Sequence, residues 1–141
     1  MHTIDSKNRM SLPAGFRAEF QRRSDLPPFL TTGRHCLELH PNEDWKRFED
    51  RITARAATNP HAQAMVRYLI SNAIECPIDK QGRILVPQYL RDKAGLERDV
   101  TVAGVGAKIE LWDSTRFEAD LSNTEARYEE YSKSLEAKPG D

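Results

Sequence analysis

IDKQGRILVP, residues 78–87, repeats the pattern of IDSKNRMSLP, residues 4–13. Unrelated stretches of about 14 residues would share about one identity at average composition. A second match follows, because Leu37-Glu38-Leu39 resembles Ile109-Glu110-Leu111. At an offset of 74 residues, the identical pairs over residues 4–17 and 78–91 are Ile4/Ile78, Asp5/Asp79, Arg9/Arg83, Pro13/Pro87 and Arg17/Arg91. The chain therefore contains an internal duplication.

Each copy predicts the same series of short elements. A short strand ends at the shared Asp, and the turn after it carries a residue suited to positive φ, Asn8 or Gly82. A second strand then completes a hairpin, the shared Pro starts a short helix, and another hairpin follows. In the first copy we expect the second strand over 9–12, the helix over 14–20 and the later hairpin over 29–39. The corresponding ranges in the second copy are 83–86, 88–94 and 100–111.

Longer helices are predicted after each copy. Trp45, Phe48 and Ile52 recur at helical spacing, and Asn59-Pro60 interrupts that pattern. Asp113 or Ser114 is a candidate N-cap of a final acidic helix over 118–136. A unit of about 45 residues is too small to bury a core alone. We therefore expect an α+β fold in which two tandem β units pair about a pseudo-two-fold axis as a barrel with flanking helices. The expected divisions are 1–46, 47–73, 74–117 and 118–141.

Charge is distributed unevenly along the chain. The net charge is −1, which argues against a protein that coats nucleic acid indiscriminately. Residues 1–23 nevertheless carry five basic and two acidic residues, 5 − 2 = +3, whereas residues 118–141 carry three and seven, 3 − 7 = −4. No apolar run approaches the roughly 20 residues that cross a bilayer, and the N-terminus does not resemble a signal peptide. We expect a cytoplasmic protein without a membrane partner.

Enzyme and metal sites are not predicted. The two cysteines, Cys36 and Cys76, form no C-x-x-C pair, and the four histidines have no zinc-site spacing. Gly104-Val105-Gly106 lacks the Lys-Ser/Thr of a phosphate loop and is interpreted as a hairpin turn. No catalytic residue, metal ligand, cofactor or small-molecule substrate is therefore proposed from the sequence.

The repeated I-D-x-x-x-R-x-x-x-P pattern permits two interpretations. Asp5 and Asp79 can accept hydrogen bonds from turn N–H groups, or hold Arg9 and Arg83 from four residues away, which makes the motif a self-clamped turn. Alternatively, the paired turns present two Arg and two Lys on one face, suited to guanine edges and phosphate. The two lysines are Lys7 and Lys80.

The chain resembles the MraZ family, whose members carry two tandem SpoVT-AbrB-like units of swapped-hairpin type. The resemblance is carried by two D-x-x-x-R motifs, DSKNR at 5–9 and DKQGR at 79–83, and extends over about 2–121. Further matching segments are KQGRILVP at 80–87, AGL at 94–96, VGA at 105–107, ELWD at 110–113, and Cys36-Leu37-Glu38-Leu39 through Trp45.

The resemblance implies a nucleoid-associated transcriptional regulator that binds double-stranded DNA at promoter repeats of the cell-division and cell-wall gene cluster. It also implies a homo-oligomer, expected to be a ring. The residues expected to form the DNA-binding site are Asp5, Lys7, Arg9, Asp79, Lys80 and Arg83. The sequence leaves open the number of subunits, the DNA sequence, and whether the protein activates or represses.

Two departures from the family pattern concern the first copy. Asn8 stands where the family usually has Gly, and we expect the turn to survive because Asn tolerates the left-handed region. The chain begins later than is usual, so the first strand is expected to span about three residues, and either the start is trimmed or this half is the weaker. Two alternative functions remain: an AbrB-type antitoxin that binds DNA and a toxin, and a ring-forming scaffold.

Overall fold

A computed structural model describes residues 2–136 of the 141-residue chain. The first half contains β1 (His2–Thr3), β2 (Arg9–Ser11), α1 (Ala14–Arg23), β3 (Phe29–Thr32), β4 (Leu37–His40), α2 (Asn42–Ala56) and α3 (Pro60–Ser71). The second half contains β5 (Ile74–Glu75), β6 (Arg83–Leu85), α4 (Gln88–Ala94), β7 (Asp99–Val105), β8 (Lys108–Asp113), α5 (Ser114–Ala126) and α6 (Tyr128–Glu136). Both halves follow the order β-β-α-β-β-α, so the duplication is structural. Residues 137–141 of the predicted C-terminal segment lie outside the described residues.

The strands form two antiparallel sheets in which the halves are interleaved. One sheet has the order β1-β7-β8-β4-β3-β5, and the other consists of β2 and β6. The first strand of each half pairs with the third strand of the other half, because β1 pairs with β7 and β5 pairs with β3. The central strands β4 and β8 also join the two halves. The expected α+β class, built from two tandem units, is therefore observed.

The sequence predicted that the first two strands of each copy pair with each other as a hairpin, and this pairing was wrong. The chain does turn back at each motif, but the strands on either side pair with the other half: β1 with β7 and β2 with β6. An isolated pair of two- or three-residue strands is marginal in water. Pairing between halves instead buries Met10 against its register partner Ile84, each at most 2% exposed.

The core lies between the sheets and helices α1 and α4, and both halves contribute to it. Alternation along β4 buries Leu37 and Leu39 and leaves Glu38 and His40 partly exposed, as the period of two requires. Complete burial of one such leucine contributes about 1.5–3 kcal/mol. Other core residues are Ile4, Leu12, Phe20, Leu30, Val86, Leu90, Val100, Ile109 and Leu111. Removing either half would expose the apolar face of the other.

The flanking helices follow the local signals of the sequence. Trp45 is buried and stacks on Phe29 with ring centroids 6.0 Å apart, which fastens α2 to the sheet. The Asn59 side chain caps α3, and Asp113 caps α5 by accepting a hydrogen bond from the Arg116 N–H. The predicted acidic helix is divided into α5 and α6 at Arg127, whose ψ is 21°. Within residues 2–136, no helix has the length and apolar character needed to cross a bilayer.

Candidate nucleic-acid interface

The first D-x-x-x-R motif forms a closed turn, which we call loop 1 (residues 5–9). The Asp5 N–H donates to the Arg9 carbonyl oxygen at 2.9 Å. The Asp5 carboxylate accepts the backbone N–H groups of Lys7 at 2.8 Å and of Arg9 at 3.0 Å through Oδ1. Its Oδ2 accepts the Arg9 Nε–H at 3.1 Å. One carboxylate thus fixes both the turn and the direction of the arginine side chain.

The second motif, loop 2 (residues 79–83), repeats this arrangement. Asp79 Oδ1 accepts the backbone N–H groups of Gln81 and Arg83, each at 2.9 Å. Asp79 Oδ2 accepts the Arg83 Nε–H at 3.2 Å, and Arg83 Nη2 also donates to Gln81 Oε1 at 2.7 Å. The predicted self-clamped turn is therefore present in both halves. It is compatible with binding, because Asp holds Arg through Nε in both loops, although Arg83 Nη2 is also engaged by Gln81.

The electrostatics of the two carboxylates agree with this geometry. The backbone N–H of Arg9 is the main cause that lowers the pKa of Asp5 below 3.8, with further contributions from the Lys7 N–H and the Arg9 guanidinium. The backbone N–H of Arg83 does the same for the pKa of Asp79. Both carboxylates consequently remain charged, and both clamps closed, throughout the neutral pH range.

Positive φ occurs where the sequence predicted it. Asn8 has φ 63° and Gly82 has φ 79° at equivalent positions of the two loops. The Asn8 N–H donates to the Asp5 carbonyl oxygen at 3.0 Å, and the Gly82 N–H donates to that of Asp79 at 2.9 Å. The turn therefore survives the replacement of Gly by Asn, as predicted. Among the described residues, β1 and β5 each span two residues.

The β2–β6 ladder places both arginines on one outward face. Arg9 lies opposite Leu85, and Ser11 lies opposite Arg83. Because side chains alternate along a strand, these four residues share the face opposite the buried Met10 and Ile84. Arg9 and Arg83 are diagonal neighbours, a relation that separates Cα atoms by about 7–8 Å.

Ser11 and Leu85, at the centre of this face, were not predicted from the sequence. Leu85 is 56% exposed because it faces outward next to Ile84, which faces the core and is 1% exposed. The sequence feature that indicates them is the two-residue period of a strand, which places Ser11 on the same face as Arg9 and Leu85 on the same face as Arg83. The predicted lysines, Lys7 and Lys80, lie exposed on loops 1 and 2, at positions that are not equivalent in the repeat.

The role of Arg91 was also not predicted from the sequence. Arg91 lies on α4, yet its Nη1 donates to the Asn8 side-chain Oδ1 of the other half at 2.8 Å. Its Nε donates to the Leu96 carbonyl oxygen at 3.1 Å, and its Nη2 donates to that of Glu97. One guanidinium therefore joins loop 1 to the segment between α4 and β7. The signal was the repeated identity of Arg17 and Arg91.

A polar cluster lies on β4 and β8, apart from the loops. The cross-strand partners Glu38 and Glu110 have a carboxylate oxygen each within 4.8 Å of the Cys36 thiol, a combination that can ligate a metal ion. However, Lys108 Nζ lies 2.8 Å from Glu38 and 3.8 Å from Glu110, so an ammonium already forms ion pairs with both carboxylates.

The protonation states in this cluster favour a structural role. Burial raises the pKa of Cys36 to about 12, and the two carboxylates add to the effect, so sulfur is a thiol and not a thiolate at neutral pH. Burial tends to raise the pKa of Glu38, but hydrogen bonds from His40 and Lys108 outweigh it and lower that pKa. We interpret the cluster as an ion-pair network between the two halves.

Comparison with known proteins identifies the family. A family model described as "MraZ protein, putative antitoxin-like" matches the chain twice, over residues 1–68 and 69–137. A relative from Carboxydothermus hydrogenoformans, named "Transcriptional regulator MraZ", is 37% identical over 134 residues, covering 95% of this chain and 92% of that protein.

Two further relatives carry the same name. The protein from Heliobacterium modesticaldum is 39% identical over 134 residues, covering 95% of this chain and 92% of its own length. The protein from Desulfitobacterium hafniense is 41% identical over 124 residues, covering 86% and 82%. The similarity therefore extends through both halves, with the loops included.

Proposed function

The chain belongs to the MraZ family, and from that premise we propose that it is a transcriptional regulator that binds double-stranded DNA through loops 1 and 2. The observation that carries this proposal is the outward face of the β2–β6 ladder. Arg9 and Arg83 are diagonal neighbours there, and each is held at Nε by its own aspartate. Holding a side chain in place before binding reduces the conformational entropy lost in the complex.

The six predicted site residues divide into two roles under this proposal. Arg9 and Arg83 contact guanine edges or phosphates, and Lys7 and Lys80 contact phosphates. Asp5 and Asp79 act as positioning residues, because their oxygens already accept hydrogen bonds within the loops.

The finer predictions of the sequence belong to the same proposal. We infer a swapped-hairpin barrel, supported by the exchange of first strands between halves, and we retain the divisions at 1–46, 47–73, 74–117 and 118–141.

A homo-oligomeric ring is supported by exposed apolar residues on α6, where Tyr128 is 65% and Leu135 86% exposed. A ring presents several loop pairs to one duplex, and the simultaneous contacts strengthen binding that would be weak for a single pair. Its expected target is therefore a set of tandem promoter repeats in the cell-division and cell-wall gene cluster. Nucleoid association follows from DNA binding.

Fluorescence anisotropy tests the DNA-binding part. The protein is titrated with duplex from upstream of its own gene and with a scrambled duplex, at two salt concentrations. Selective, salt-sensitive binding that Arg9→Ala/Arg83→Ala loses is the expected result. The matched control is Arg55→Ala/Arg67→Ala, which removes the same charge from exposed positions on α2 and α3.

Other outcomes would reject the proposal in identifiable ways. Equal loss of binding in both double variants would leave only a general electrostatic attraction. Absence of binding by an assembled wild-type protein would favour the scaffold. Light scattering that gives a monomer of about 16.1 kDa would refute the ring.

An antitoxin is the second candidate, because the matching family description includes the words "antitoxin-like". The acidic helix α6 offers a surface for a basic protein partner, since none of its residues is buried. Both candidates contact DNA through the loops, so a protein pull-down separates them: an antitoxin captures a protein partner that a variant lacking residues 128–141 does not capture, whereas a regulator needs no such partner.

A further inference from the structure

The two repeat-related arginines Arg17 and Arg91 each reach the loop of the opposite half. Arg91 of the second half donates to the Asn8 side chain in loop 1 at 2.8 Å. Arg17 of the first half lies against Gly82 in loop 2, where an added Cβ would come within 1.8 Å of its Nη1 and 2.8 Å of its Cζ. The exchange between halves thus places one additional guanidinium at the tip of each D-x-x-x-R loop.

The partners of these two guanidinium groups differ. All three nitrogens of Arg91 donate within the protein, to Leu96, Asn8 and Glu97. The Arg17 guanidinium, in contrast, makes neither a hydrogen bond nor a salt bridge with any residue in the range 2–136. One part of this difference has a local cause: Asn8 provides a side-chain oxygen for Arg91, whereas Gly82 has no side chain to offer Arg17.

We propose that Arg17 is an additional phosphate contact of loop 2, whereas Arg91 is a positioning residue of loop 1. This inference rests on the proposed DNA-binding function. A guanidinium forms strong charge-assisted, bidentate hydrogen bonds with phosphate oxygens, and Arg17 retains its donors for them. Packing on the Gly82 backbone restricts where its head group lies, which lowers the ordering cost on binding.

The two loops consequently engage DNA with unequal charge. Loop 2 acts with Lys80, Arg83 and Arg17, and loop 1 acts with Lys7 and Arg9. A pseudo-symmetric pair of loops therefore grips the two sides of its DNA site unequally. One exchange between the repeats contributes to this difference, Asn at position 8 against Gly at position 82.

The test is the salt dependence of DNA binding, measured by anisotropy from 50 to 200 mM salt on the upstream and scrambled duplexes. Arg17→Ala should reduce the slope of log K against log salt by about 0.9 for each engaged subunit. Binding to both duplexes should weaken by the same factor, because a phosphate contact carries no base information. Arg17→Lys, which keeps the charge, should restore most of the slope.

The matched controls are Arg22→Ala and Arg91→Ala. Arg22 lies on the same helix as Arg17 and is paired with Glu19 at 2.7 Å, so its removal takes one charge from α1 without touching loop 2 and should leave the slope unchanged. Arg91→Ala should lower the melting temperature and leave the slope closer to the wild-type value than Arg17→Ala does.

Three results would overturn the inference. A folded Arg17→Ala protein with the wild-type slope would remove Arg17 from the interface. An equal reduction by Arg22→Ala would make the effect one of general charge, and an equal reduction by Arg91→Ala would make the two arginines equivalent. Absence of binding by the wild-type protein is a different result, because it rejects the proposed function and the Arg17 contact together.

Discussion

Arg91→Ala tests whether the contact between halves stabilises the protein. The substitution removes three hydrogen bonds: to the Leu96 oxygen at 3.1 Å, to Asn8 Oδ1 at 2.8 Å, and to the Glu97 oxygen. Each contributes about 0.5–1.5 kcal/mol net, so the free energy of unfolding should fall by about 1.5–4.5 kcal/mol. For a chain of this size that corresponds to a melting temperature lower by about 3–18 °C.

The repeat supplies the control for this measurement. Arg17→Ala removes the same side chain from the equivalent helix position, where its guanidinium makes no hydrogen bond with the described residues, so we expect a loss below about 0.5 kcal/mol. Both variants are unfolded in urea at one fixed protein concentration, because assembly makes apparent stability depend on concentration.

A double-mutant cycle isolates the contact between the halves. Asn8→Gly removes the Oδ1 acceptor while keeping a residue that accepts φ 63°. Its coupling with Arg91→Ala should be about 0.5–1.5 kcal/mol. Equal destabilisation by Arg17→Ala and Arg91→Ala, or a coupling near zero, would refute the reasoning.

Three further perturbations have defined outcomes. Gly82→Ala should lower the free energy of unfolding, measured in urea, by about 1–2 kcal/mol, because φ is 79° at that position. The helical control Gly15→Ala, where an added Cβ meets open space, should be neutral or stabilising, and equal losses in the two variants would contradict the prediction. Burial raises the pKa of both Cys36 and Cys76 to about 12, so a thiol reagent at pH 8 should label them only after unfolding, and rapid labelling of the folded protein would be inconsistent with the structure. The folded-state pKa of Glu38 is below 4.5, so its stabilising contribution is present above that pH and is lost as pH falls through the folded pKa. The free energy of unfolding of Glu38→Gln, measured by chemical denaturation, should therefore fall less steeply with acid than that of the wild type. Identical pH profiles would argue against the ion-pair network.

The parts of the fold that follow local rules were predicted closely. Helix α4 spans Gln88–Ala94, the predicted range, because Pro87 begins it and Gly95 ends it with φ 64°. The interruption predicted at Asn59-Pro60 is also observed, between α2 and α3, where the Asn59 side chain caps α3. Such signals depend on a few neighbouring residues, and those residues were visible in the sequence.

The candidate site was predictable only in part. The clamps of Asp5 on Arg9 and of Asp79 on Arg83 span four residues, and spacing alone suggested them. The contact of Arg91 with Asn8 joins residues 83 positions apart, and only the packing of the halves brings them together. Its one sequence signal, an arginine repeated after the shared proline, carried no information about the partner.

The sequence by itself determined the duplication, the two turns with their positive-φ residues, and the helix starts. Each of these depends on short stretches of sequence and not on contacts between distant residues. The tertiary structure alone decided which strands pair. Strands as short as β1 and β5 have too few hydrogen bonds to choose a partner by themselves. Their choice follows from burial: pairing across the halves seals one shared core, places Arg9 and Arg83 on a common face, and brings an arginine from each half to the loop of the other.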